Sequence, residues 1–149
     1  MVTPGHLFNA WGITNVIISG LCHRYPRLNF VSVESGVGWV PFLLEALDWQ
    51  WQAAGAFKEH PERLLPSEYF RRQVYMTYWF ERLSPALLTD YADNIMYETD
   101  FPHPVSMSPG PASPAIAPRE FVRQTMEGVD PAVVRKVLHD NAARLYHLK

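Results

Sequence analysis

The chain has a single cysteine, Cys22, among its 149 residues, so it can close no internal disulfide and build no cysteine zinc cluster. It has no excess of either charge. Thirteen Lys and Arg against 15 Asp and Glu leave a net charge of −2, which offers no electrostatic footprint for nucleic acid and no basic amphipathic run for a membrane surface. No stretch reaches the unbroken apolar length of a membrane span, and the start Met1-Val2-Thr3-Pro4-Gly5-His6 lacks the charged region and apolar core of a leader. A cytoplasmic location is the expectation. Internal repeats are absent, and the one biased segment lies between Pro102 and Pro118, with six prolines at 102, 104, 109, 111, 114 and 118.

What is present is a globular composition, 48% hydrophobic and 19% charged, too apolar for a disordered chain. The length suits one core and is short for two, so residues 1–149 are read as part or all of a single domain with no second domain. Cys22 follows the apolar run Val16-Ile17-Ile18 and Leu21, which favours a buried helix residue over a reactive thiol.

In chain order, the spacing predicts a helix over residues 7–24, a turn at Tyr25-Pro26-Arg27, and a strand over 28–34 rich in β-branched and aromatic residues. Ser35-Gly36-Val37-Gly38 is then a glycine-bearing loop before a helix from Trp39 to about Ala54, with Gly55 as its stop. Residues 55–69 read as a loop with at most one helical turn, and Gln73 to Phe80 as a strand whose aromatics are better explained by packing than by a ligand pocket. Ser84 caps a short helix opened by Pro85 and ending near Tyr91, and Asn94 leads into a third strand. The proline segment is a loop long enough to form a lid or arm. Two helices close the chain, Arg119 to Glu127 before Gly128, and Asp130-Pro131 to about Tyr146.

The third strand, Asn94-Ile95-Met96-Tyr97, runs into Glu98-Thr99-Asp100-Phe101-Pro102-His103-Pro104. The prolines stop any ladder there. An Asp beyond the carboxyl end of a buried parallel strand projects into the mouth of an α/β structure, where ligands and metals bind. Asp100 is therefore the first candidate site residue, against the alternative that it only caps the turn. Glu34 holds the same kind of position after the first strand. Helices alternating with strands build a parallel sheet with helical cover, yet three strands leave two open edges. The pattern is the last portion of a (β/α)8 barrel with earlier strands missing.

Tyr25-Pro26-Arg27-Leu28, Phe30-Val31-Ser32-Val33-Glu34-Ser35-Gly36-Val37-Gly38-Trp39-Val40-Pro41, Glu98-Thr99-Asp100-Phe101-Pro102-His103-Pro104 and Asn141-Ala142-Ala143-Arg144-Leu145-Tyr146 together resemble the amidohydrolase-related family. That family includes enzymes similar to aminocarboxymuconate-semialdehyde decarboxylase. The likeness runs from about Leu7 to the end and is nearest to members with a Glu-Ser-Gly loop instead of His-Gly-Gly. It implies an α/β fold, the C-terminal part of a TIM (β/α)8 barrel, and metal-dependent hydrolysis or non-oxidative decarboxylation of a small organic substrate with zinc or a similar divalent ion. It implies Asp100 as a metal ligand able to help activate a bound water. Glu34 stands where the resemblance implies a catalytic His. A carboxylate there can accept a proton or bind metal, but cannot act as an imidazole.

The family's His-x-His pair is missing: none of His6, His23, His60, His103, His139 and His147 has a His two positions away. His103 adjoins the candidate site, where it either touches substrate or metal or serves the loop. With Asp100 and Glu34 alone short of the usual three protein ligands of a catalytic zinc, the chain is read as the carboxyl-terminal portion of a longer enzyme or a truncated reading frame, binding divalent metal weakly. The competing reading is a non-catalytic half-barrel that pairs through its open edges. Glu34 and Asp100 are expected at the same end of the sheet, their backbones about 10 Å apart across one intervening strand. The alternative turns Glu34 aside toward Arg71 or Arg72.

Overall fold

Proline and glycine set most of the element boundaries in the computed structural model, which describes residues 7–104, 106–111 and 113–148. The leader reading of residues 1–6, and His6 with it, lies outside the described residues. Helix α1 (Phe8–Ile18) gives way at Gly20, φ 78°, to a short α2 (Leu21–Arg24). The one helix expected over 7–24 is two, because a left-handed residue cannot continue a right-handed helix. Strand β1 (Phe30–Ser32) is shorter than the expected 28–34. Side-chain amides claim the carbonyls beyond its ends: Gln73 Nε2 donates to Leu28 O at 2.9 Å and Asn9 Nδ2 to Val33 O at 2.9 Å.

Helix α3 (Val40–Ala53) follows, with Pro41 in its first turn, and Gly55 at φ 71° separates it from α4 (Ala56–Glu59). The segment read as loop then strand contains a further helix, α5 (Pro66–Gln73), before β2 (Val74–Tyr78). Its amino end is well supplied with acceptors. Glu68 Oε2 accepts the Leu65 N–H at 3.0 Å, Asp48 Oδ1 accepts the Ser67 N–H at 2.9 Å, and Pro66 brings no donor to satisfy. Helix α6 (Pro85–Asp90) is capped as expected by Ser84, whose Oγ accepts the Leu87 N–H at 3.2 Å. Strand β3 (Ile95–Tyr97) precedes the proline segment, and α7 (Pro118–Thr125) follows it. The last predicted helix is divided into α8 (Pro131–Arg135), capped by Asp130, a widened π turn (Lys136–Asp140), and α9 (Asn141–Leu145).

The strands form one parallel sheet in the order β1-β2-β3, with Ser32 opposite Met76 and Met76 opposite Ile95. Lateral partners share a face, so Val74, Met76, Tyr78 and Ile95 lie on the side that the helices cover. There they pack with Val37, Val40, Leu44, Phe121 and Val137. The other face carries Val31, Tyr75, Thr77 and Met96, and by alternation Val33 and Glu98 beyond the strand ends. Buried amides tie the amino end of the sheet to the helices. Asn141, fully buried, donates to Ala92 O at 2.7 Å and Ile95 O at 2.8 Å, and Asn94 donates to Val74 O at 2.8 Å. Each amide satisfies carbonyls that no ladder reaches. Cys22 is buried, and burial pushes its thiol up from the ordinary value, as an inert packing residue requires.

Candidate functional site at the carboxyl end of the sheet

Both sequence-predicted carboxylates stand just beyond the carboxyl ends of the outer strands. Both have left-handed backbones, φ 55° at Glu34 and φ 57° at Asp100. Positive φ is uncommon outside glycine and tends to cluster at functional sites. Its effect here is to turn the chain sharply where each strand stops. After β3 the Asp100 carbonyl accepts the His103 N–H at 2.9 Å, and the Thr99 carbonyl accepts the Met107 N–H at 2.8 Å. These bonds fold the proline segment back over the strand end. The Phe101–Pro102 peptide bond is cis.

Asp100 is the more enclosed residue, its side chain 8% exposed. Its Oδ2 has no hydrogen-bond partner among the described residues, although His103 Nδ1 lies 3.1 Å away. That separation suits an ion pair with an imidazolium, but the contact lacks hydrogen-bond alignment, so the oxygen keeps an acceptor direction open. His103 itself is more than half exposed.

Sequence reasoning missed the group that joins the outer strands. Glu98 Oε1 accepts from Thr77 Oγ1 at 2.6 Å and from the Glu34 N–H at 3.1 Å, and that N–H also lies 3.1 Å from Thr77 Oγ1. The chain leaving β1 and the chain leaving β3 thus meet Thr77 of β2 at a single carboxylate oxygen. Burial pushes the Glu98 carboxyl above its ordinary value, the Thr77 and Glu34 hydrogen bonds pull it down, and the charges of Glu34 and Asp100 raise it further. Three carboxylates therefore share this end of the sheet. Only part of the signal lay in the sequence: Glu98 stands within the Glu98–Pro104 motif, but that it shares a sheet face with Thr77 follows from the register of β2 and β3.

Glu81 is a second missed residue. Its carboxylate accepts the Val37 N–H at 2.8 Å and the Gly38 N–H at 2.9 Å, holding the loop after β1 to the loop after β2. Gly36 is required beneath it, since φ is +68° and a Cβ would sit 2.5 Å from Glu81 Oε2. Arg71 and Arg72, the alternative partners for Glu34, occupy the last turn of α5 at the opposite, amino end of β2. Arg71 Nη1 donates to Asp90 O at 2.7 Å and its guanidinium lies over the Tyr91 ring.

As a metal centre the cluster is incomplete. Among the described residues no three His, Cys, Asp or Glu side chains are placed to hold an ion, and one open carboxylate oxygen falls short of the three protein ligands of a catalytic zinc. The residues present do not fit a metal by themselves. No helix among the described residues is long and apolar enough to cross a membrane.

The profile of the amidohydrolase family matches residues 12–148. Among solved structures, 5-carboxyvanillate decarboxylase LigW from Sphingomonas paucimobilis superposes with a TM-score of 0.64 at 29% identity, over 90% of this chain and 38% of that one. The amidohydrolase map2389c from Mycobacterium avium subsp. paratuberculosis K-10 gives a TM-score of 0.65 at 24% identity, over 89% of this chain and 32% of that one, a likeness of fold. No curated protein matches at a significant level. The chain thus spans well under half of each solved relative, and its open three-stranded sheet corresponds to part of a TIM barrel.

Proposed function

We propose, for a chain that belongs to the amidohydrolase family, that the carboxyl end of its sheet is the acidic part of an enzyme site for hydrolysis or non-oxidative decarboxylation of a small organic substrate. The observation that carries this reading is the buried Asp100 Oδ2, left without a hydrogen-bond partner among the described residues at the mouth of a parallel sheet. A buried carboxylate oxygen without a hydrogen bond is costly to maintain, and such a group calls for a ligand or reacting group to complete it. Asp100 takes the role of acceptor toward metal or water, Glu34 that of a second carboxylate at the same end, and His103 that of an exposed imidazole able to pair with Asp100. Asp100 is the residue of this chain that would face the zinc-like divalent ion implied by the family. The setting we propose is cytoplasmic.

The test measures the chain with and without added zinc. Ester hydrolysis is followed with p-nitrophenyl acetate, and decarboxylation by carbon dioxide release from small aromatic acids. Activity abolished by Asp100→Asn and reduced by Glu34→Gln is expected. Undiminished turnover in Asp100→Asn would overturn the assignment, and loss confined to Asp100→Asn would leave Glu34 outside the chemistry.

A second reading, a half-barrel that pairs with a complementary unit or with itself, is favoured by one observation. Among the described residues, strands β1 and β3 each pair with a strand on one side only, and unpaired edges invite strand addition.

A further inference from the structure

We infer that the cavity in the helical layer between α3, α5 and α6 is a binding site for a small aliphatic diamine in its doubly protonated form, with Glu45, Asp48 and Tyr91 holding one ammonium and Asp90 matching the charge of the other. The cavity encloses about 510 Å³, within the usual range for small-ligand sites. It shares no residue with the cluster of Asp100, Glu34 and Glu98.

Its charge comes from two helices. Glu45 and Asp48 stand three apart on α3, which puts them on one helix face, and Asp90, the last residue of α6, lines the same cavity. Arg71 is the one cation lining it among the described residues, its guanidinium 4.7 Å from the centre of the Tyr91 ring and its Nη1 donating to the Asp90 carbonyl. Three carboxylates against one guanidinium leave two negative charges unmatched, which disfavours an anionic ligand and favours a dication.

Acidic residues alone would make only a solvated patch, and Tyr91 supplies the second feature. It is 8% exposed, its ring packs edge-on against Phe70 at 6.3 Å, and its hydroxyl has no hydrogen-bond partner among the described residues. Burial raises the phenol, the Arg71 charge pulls it down, and Asp90, Glu45 and Asp48 raise it further, so the hydroxyl keeps its proton in the field of all three carboxylates. An ammonium brings three donors and no acceptor, and two carboxylates with one hydroxyl oxygen satisfy all three. Asp48 keeps capacity for this, because only its Oδ1 is engaged, by the Ser67 N–H at 2.9 Å. Leu44 and Leu87 give the methylene chain an apolar wall.

Binding here is independent of the reaction proposed above and is read without turnover. The full chain is titrated calorimetrically, at fixed ionic strength, with 1,4-diaminobutane, with 1-aminobutane and with magnesium ion, a dication that lacks the ammonium donors. Saturable binding of the diamine is expected, at least about fivefold tighter than the monoamine and at least about tenfold tighter than magnesium. Tyr91→Phe keeps the ring and its packing and should weaken the diamine about tenfold, as loss of one hydrogen bond to a charged group requires. Glu45→Gln, at an exposed position, should weaken it by a similar factor. Nα-acetyl-lysine methylamide is the probe for a lysine side chain of a protein partner, and affinity for it equal to that for the diamine would overturn the free diamine as ligand. No saturable diamine binding, magnesium binding as tight as the diamine, or undiminished affinity in either variant would each overturn the site. Asp100→Asn should bind the diamine unchanged, and a loss there would overturn the independence of this cavity from the sheet end.

Discussion

A single oxygen, Glu98 Oε1, collects hydrogen bonds from Thr77 on β2 and from the backbone of Glu34 after β1. Its carboxyl is raised chiefly by burial from an ordinary value of 4.5. The folded chain therefore holds this proton more tightly than the unfolded chain does. Stability contributed by this group falls as pH rises from the ordinary value through the raised folded value, and the loss is complete above the latter. Glu98→Gln should flatten that part of the pH profile of urea denaturation. Thr77→Val removes the largest of the contacts that pull the carboxyl down, so the Glu98 carboxyl carbon should titrate still higher by NMR. A Glu98 that titrates at or below its ordinary value would show the burial argument to be wrong. The sequence exposed Asp100 and Glu34 through their positions after strands, but not Glu98 or Thr77. Those two become partners only when lateral register is known, and register across separate strands is a long-range property.

At the scale of elements, the legible boundaries were those written by local chemistry: the Ser84 and Asp130 caps and the stop at Gly55. Helix α5 was hidden because the apolar pattern of its end merges with that of β2, although Leu65-Pro66-Ser67-Glu68 carries a helix-start signature. The loop after β1 shows the same division. Its glycines were visible, but the reason for Gly36 is a carboxylate 45 positions further on. Gly36→Ala should destabilise the chain by about 1–3 kcal/mol, from a left-handed backbone combined with a clash against Glu81, measured by urea denaturation. Glu81→Ala removes the clash but also the two hydrogen bonds. Faster hydrogen exchange confined to the Val37 and Gly38 amides is then expected. Unchanged exchange at those amides would mean that the loop is held by something other than Glu81.

For the whole molecule, the decisive feature is that the sheet has edges. A closed barrel leaves no strand unpaired, whereas among the described residues neither β1 nor β3 has a strand on its outer side, although on β3 the outward Ile95 C=O and N–H are already taken by Asn141 and Tyr91. The helical layer adds apolar area, with Phe42 79% and Trp49 71% exposed on one face of α3 and Phe8 73% and Trp11 74% exposed on α1. Magnitudes separate the two contributions. Phe42 and Trp49 from two copies would bring together roughly 600 Å² of aromatic surface, at about 150 Å² per exposed ring. This is about half the lower bound of roughly 1,200 Å² for a specific stable interface, so α3 alone supports only weak pairing. Edge strands add directional backbone hydrogen bonds that the helix face cannot provide. Sedimentation velocity should therefore show concentration-dependent self-association of the chain. Trp49→Lys should weaken it only modestly, whereas Val31→Pro on β1 removes an edge donor and should weaken it strongly. A well-folded monomer across the accessible concentration range would count against association through open edges. A loss caused by Trp49→Lys but not by Val31→Pro would move the contact from the sheet to the helical layer.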